Sequence, residues 1–157
     1  MRRAGLTLLF AFACLAMPRA VFAQTPAPAD GVAACVAAAG ASRAGLDACK
    51  GVVLEACTET PGGETTGGMV ACYEGEARAW TALLDAAVVR AQAGESRAAL
   101  FQQSQEAWRA WRQADCRYQA SYYEGGSLAR VLAASCYADL TADRAIALIY
   151  AERTENE

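Results

Sequence analysis

Two cysteines, Cys116 and Cys136, stand at nearly equal distances on either side of a Gly125-Gly126 pair, and this symmetry constrains the fold more than any other feature of the chain. Glycine held in a helix costs about 1 kcal/mol relative to alanine, so the pair marks a reversal. Upstream, Leu100, Ser104, Ala107, Trp111, Ala114, Tyr118 and Tyr122 recur at steps of four and three, with Trp108 widening the stripe. That spacing predicts a long amphipathic helix whose aromatics turn inward. Antiparallel helices leaving one turn bring residues equally far from it level with each other, and a disulfide needs Cα atoms only about 5.5 Å apart. Cys116 is therefore expected to pair with Cys136.

The chain opens with Met1-Arg2-Arg3, an apolar run from Leu6 to Met17 and small residues ahead of Gln24. These are the three parts of an export signal, residues 1–23, with cleavage expected between Ala23 and Gln24. The run is shorter than the about 20 residues of a spanning helix, so no membrane span is expected. Cys14 leaves with the signal; its lipidation is a second reading, set against a poor lipobox in Ala11-Phe12-Ala13. Six of the seven cysteines remain, an even number, and the expected setting is an oxidising one, the periplasm. Losing Arg2, Arg3 and Arg19 from 14 basic residues leaves 11 against 17 acidic ones, a formal charge of −6. Such a surface suits a basic protein partner and neither nucleic acid nor anionic lipid.

Residues 24–30, with Pro26 and Pro28, read as a linker, 31–153 as one domain and 154–157 as a polar tail. Within the domain, Gly31 to Ala39 and Gly45 to Thr58 predict two short, alanine-rich helices that need a staple. Cys35 and Cys49 lie either side of their break and are expected to pair. The alternative in which Cys35 reaches a distant helix stays open, since six cysteines allow many connectivities. Thr60 to Gly68 contains two Gly-Gly pairs and reads as the loosest stretch, with helix resuming near Met69; Cys57 and Cys72 would close it if paired. Met69 to Ala93, carrying Tyr73, Ala77, Trp80, Leu84, Ala87 and Ala91, predicts a second long helix. Gly94-Glu95-Ser96 interrupts it, with Ser96 as a candidate cap, and so short a link predicts antiparallel packing of the helices it joins. A final helix is expected over Asp139 to Glu152, capped by Thr141. No stretch alternates with period two, so the fold class is all-α: a small disulfide-stapled helical bundle with two long antiparallel helices.

The chain has no histidine, which removes the usual general base and the commonest metal ligand. The cysteines lack the Cys-x-x-Cys spacing of zinc sites, and no cofactor motif is present. Carboxylate pairs such as Glu74 with Glu76, or Glu106 with Asp115, read as solvated helix faces rather than a glycosidase pair. No catalytic, cofactor-binding or metal site is expected, and the protein reads as non-enzymatic. Glu76, Arg112, Asp115 and Arg144 lie beside the apolar stripes. The plain reading is that Arg112 or Arg144 neutralises a carboxylate and ties down carbonyls near the Gly125 turn; the sharper one is that an arginine belongs to a partner surface. Trp80, Trp108 and Trp111 pose the same choice between core and interface.

One ordered series resembles the LprI-type lysozyme-inhibitor family: Gln105, Trp108, Trp111-Arg112, Cys116, Gly125-Gly126-Ser127, Cys136, Thr141 and Arg144. Upstream, Cys49, Cys57, a Thr-Pro-Gly-Gly stretch, Cys72, Glu76, Trp80 and Leu84 extend the likeness, so that it covers nearly all of residues 35–150. Relatives often carry Trp-Asp, Leu-Asn and Tyr where this chain has Trp80-Thr81, Leu84-Asp85 and Val88, and Arg-Asp-Ala-x-Cys where it has Arg112-Gln113-Ala114-Asp115-Cys116. The resemblance implies an exported helical domain that inhibits lysozyme by binding it. A periplasmic binding or scaffold module for another envelope protein or ligand is the alternative.

Overall fold

The computed structural model describes residues 29–93, 96 and 98–155; the expected signal, most of the linker and part of the Gly94-Glu95-Ser96 link lie outside the described residues. Among those described there are six helices and no strand: α1 Ala29–Ala38, α2 Arg43–Asp47, α3 Val52–Thr58, α4 Thr66–Ala93, α5 Ala98–Ser121 and α6 Ser127–Glu155. Two of the boundaries between the short helices sit on glycines in the left-handed region, Gly40 at φ 58° and Gly51 at φ 87°, a conformation only glycine adopts without strain. Ser42 caps α2, its hydroxyl accepting from the Gly45 N–H at 3.1 Å. Gly125, at φ 81°, reverses the chain between α5 and α6.

All three bridges join cysteines across a local reversal. Cys35 pairs with Cys49, Cys57 with Cys72 and Cys116 with Cys136, at Cα separations of 5.7, 5.5 and 5.5 Å. Three disulfides in a chain of this size mark an extracytoplasmic, oxidising setting. No described helix is long and apolar enough to cross a membrane.

The long helices do not pack in sequence order. α6 lies along both α4 and α5, while α4 and α5 scarcely meet. Cys116–Cys136, Arg112–Thr141 and Gln105–Arg144 run in opposite directions along α5 and α6, so these two form the stapled antiparallel hairpin. The short link after Ala93 had suggested that α4 would pack on α5. Instead the apolar side of α4, with Trp80, Leu84, Ala87 and Val88, is taken by α1, α3 and α6. The core forms there, from Val32, Val36, Leu46, Val53 and Trp80 against Ala142, Ala145, Ile146 and Ile149. No fully buried residue of α5 belongs to it; Phe101 and Trp108 only lean on its edge.

Three further expectations change. The last helix begins at Ser127, not Asp139, so Thr141 is no cap: it is fully buried inside α6, its hydroxyl donating to the Tyr137 carbonyl at 2.5 Å. α6 also runs on through Thr154 to Glu155, so the expected tail is helical that far. The Gly-rich stretch is a tight turn rather than a slack loop. Thr65 caps α4, accepting from the Gly68 N–H at 3.0 Å, and a Cβ on Gly63 would stand 2.5 Å from the Cys57 carbonyl oxygen. Gly63 and Gly68 are there because backbone passes against backbone, with the Cys57–Cys72 bridge closing the turn.

Candidate functional site

The seam between α5 and α6 gathers most of the residues singled out in the sequence. Gln105 is 3% exposed and Arg112 8%, although both are polar. Arg144 donates from Nε to Gln105 Oε1 at 2.8 Å, and Arg112 donates to Thr141 Oγ1 at 2.6 Å. Trp108 sits between the two arginines, 4.5 Å from the Arg112 guanidinium carbon and 5.9 Å from that of Arg144. Tyr137 offers its ring to Arg112 at 3.9 Å. Burial pushes the pKa of both arginines below its ordinary value, but a guanidinium stays charged. What touches this charge directly is aromatic faces and neutral acceptors, with the Asp85 carboxylate acting on Arg112 from farther off. Neither arginine pairs with a carboxylate among the described residues, and neither reaches the Gly125 turn. Arg112 Nε and Gln105 Nε2 are buried with no hydrogen-bond partner there. The seam is a largely buried polar lock between α5 and α6.

Glu76 and Trp80 form a second lock, on α4. The Glu76 side chain, 4% exposed, accepts at Oε1 from the Gly51 N–H (2.9 Å) and the Trp80 indole (2.7 Å), and at Oε2 from the N–H groups of Val53 (2.8 Å) and Leu54 (3.1 Å). Gly51 stands at the cap position of α3 and has no side chain to cap with, so a carboxylate from another helix satisfies the orphan donors and faces the positive end of the helix dipole. The solvated-face reading of Glu76 is therefore wrong. Glu74 and Glu106 are exposed, and Asp115 accepts from Gln119 at 2.8 Å. These carboxylates do not converge as a pair.

The aromatic stripe of α5 is displaced. Trp111 is 50% exposed, Tyr118 61%, Tyr122 70% and Leu100 63%, so the face expected to turn inward looks into solvent. The reason is rotational: the buried set Gln105, Arg112 and Cys116 is one residue, or about 100°, out of phase with the stripe. The disulfide fixes this rotation, because Cys116 has to face α6. That phase was available in the sequence; counting apolar residues alone missed it. Tyr118 and Tyr122 meet edge to face with ring centres 5.4 Å apart, and their hydroxyls share a 2.5 Å hydrogen bond. Trp111, Tyr118 and Tyr122 thus form an exposed aromatic row on the stapled helix, outside the core.

The sequence profile described as lysozyme inhibitor LprI matches residues 57–148. The chain belongs to this family. The matched LprI region opens at Cys57, so it takes in α4, α5, most of α6 and two bridges, and leaves out α1, α2 and the Cys35–Cys49 bridge. No curated protein and no solved structure matches the chain. Gln105, Trp108, Arg112, Thr141 and Arg144, on which the resemblance in sequence rests, meet in the α5–α6 lock. Trp111, from the same series, lies outside it.

Proposed function

We propose that this protein is an exported, periplasmic, non-enzymatic inhibitor that binds lysozyme through the outer face of α5. Membership of the LprI family supports inhibition of lysozyme. The observation that carries the surface is the exposed row Trp111, Tyr118 and Tyr122, held outward by the Cys116–Cys136 bridge and the Arg112 lock. Tryptophan and tyrosine dominate the energetic centres of protein interfaces, and a stapled helix loses little freedom on binding. Once the signal is removed, the formal charge of −6 favours encounter with a basic lysozyme. Cleavage before Gln24 and the three disulfides fit the same compartment.

The test is lysozyme turnover on bacterial cell walls with purified, oxidised residues 24–157, at low and physiological salt. Inhibition that saturates near one-to-one and weakens with salt is the expected result. No inhibition at micromolar excess would overturn the proposal.

A further inference from the structure

Away from α5, the first halves of α4 and α6 run side by side without closing on each other. Ala77 on α4 faces a stretch of α6 where Ala133 and Ala134 stand, and side chains this short leave a groove of about 670 Å³. Val70, Thr81 and Tyr137 complete its walls. From Val70 to Thr81 the groove follows α4 for about 16 Å at 1.5 Å per residue. Its volume falls within the range of small-molecule sites.

The lining decides what kind of molecule fits. The Thr81 hydroxyl donates to the Ala77 carbonyl at 2.7 Å, and the other wall side chains are hydrocarbon apart from the Tyr137 hydroxyl. A peptide or a sugar laid on that floor would bury polar groups that find no partner, whereas an unbranched hydrocarbon chain would not. The rim differs. Arg78 and Arg130 stand there with Glu74, a local excess of positive charge on a chain that is acidic overall. Among the described residues neither arginine has a hydrogen-bond or ion-pair partner. Guanidinium groups are suited to a carboxylate, which they can hold through two parallel bonds.

We infer that the groove between α4 and α6 is a binding site for a fatty acid, its chain along Ala77, Ala133 and Ala134 and its carboxylate at the rim arginines. The groove lies off the outer face of α5 proposed above to bind lysozyme, meets the Arg112 lock only through Tyr137, and its assignment does not rest on that proposal.

Calorimetric titration of purified, oxidised residues 24–157 with dodecanoate, below its micelle concentration, tests this. The expected result is saturable one-to-one binding, with dodecanol, the same chain without the charge, at least about tenfold weaker. The Arg78→Gln, Arg130→Gln double variant should lose a comparable factor, and Ala134→Phe, which fills the groove, should abolish binding. Ala133→Leu serves as a second filling variant should Ala134→Phe fail to fold, as judged by its melting curve. The inference is overturned by any of four results: no saturable binding, equal affinity for dodecanol, binding that survives in folded filling variants, or a lysophospholipid that binds more than about tenfold tighter than dodecanoate.

Discussion

The Arg112 guanidinium carbon lies 3.9 Å from the centre of the Tyr137 ring, so a buried cation on α5 is held by an aromatic face on α6. Trp108 adds a second face at 4.5 Å and Thr141 a hydrogen bond of 2.6 Å. A lysine ammonium would lose the planar stacking and strand a compact, strongly hydrated charge in the seam. Arg112→Lys is expected to lower stability by about 1–3 kcal/mol in urea unfolding followed by circular dichroism. A variant as stable as the parent would show that the stack contributes nothing.

Glu76 is surrounded by four donors: three backbone N–H groups at the start of α3 and the Trp80 indole. In Glu76→Gln one acceptor becomes an NH₂ group pointed at donors, and the charge facing the α3 dipole is lost. The expected cost is about 2–4 kcal/mol, with α3 and its surroundings losing protection first in hydrogen exchange. A drop below 1 kcal/mol would contradict the capping role.

The α5 helix gives the core no fully buried residue, so the Cys116–Cys136 bridge has to do more here than it would on a core helix. Removing a bridge from a small extracytoplasmic domain typically costs about 2–5 kcal/mol. Cys116→Ala is expected to lower the melting temperature markedly and to expose α5 amides to exchange while the α4 and α6 amides stay protected. An unchanged melting curve would falsify this assignment.

At the start of α4, a Cβ on Gly68 would press into the Gly62 carbonyl oxygen and stand 2.7 Å from that of Gly63. The neighbours are backbone and cannot move aside cheaply. Gly68→Ala, elsewhere in a helix a gain of about 1 kcal/mol, should here destabilise by at least about that much. Gly67→Ala, with open space around its Cβ, provides the control and should be neutral or stabilising.

On the outer face, Trp111→Ala and Tyr122→Ala should each weaken lysozyme inhibition by about tenfold or more with the melting temperature unchanged, since both side chains are at least half exposed. Trp80→Ala should act in reverse. Trp80 is fully buried and bonded to Glu76, so its loss lowers stability by about 3–5 kcal/mol, while whatever folds still inhibits.

Much of the architecture was legible, for local reasons. Each bridge spans a single reversal, with sequence separations of 14, 15 and 20, so placing cysteines level with glycine breaks pointed to the pairs, Cys116 with Cys136 foremost, while the alternative partner for Cys35 was closed only by the structure. The helices of α4 and α5 showed in their 3.6-residue period. The start of α6 followed only from the antiparallel pairing of Cys116 with Cys136 across the Gly125 turn and not from a period, because Ser127 to Ala138 is rich in small residues and its groove side is made of alanines that leave no stripe to count. Legibility of the candidate site was poorer still. The aromatic row was found, but on the wrong side of its helix, since aromatic content marks a face and says nothing about whether the chain itself covers it.

The amino-acid sequence by itself determined that this chain is helical and where most of it reverses, because periodicity and glycine conformation act over a few turns of chain. Only the tertiary structure decided what each helix faces. Glu76 finds its donors some two dozen residues back, at Gly51, Val53 and Leu54, and Arg112 finds Thr141 and Tyr137 on the next helix. Such polar groups have no preferred side in sequence. They go where buried donors and acceptors pair, and in α5 that requirement, together with the Cys116 bridge, outweighed the burial of Trp111, Tyr118 and Tyr122 and turned them outward.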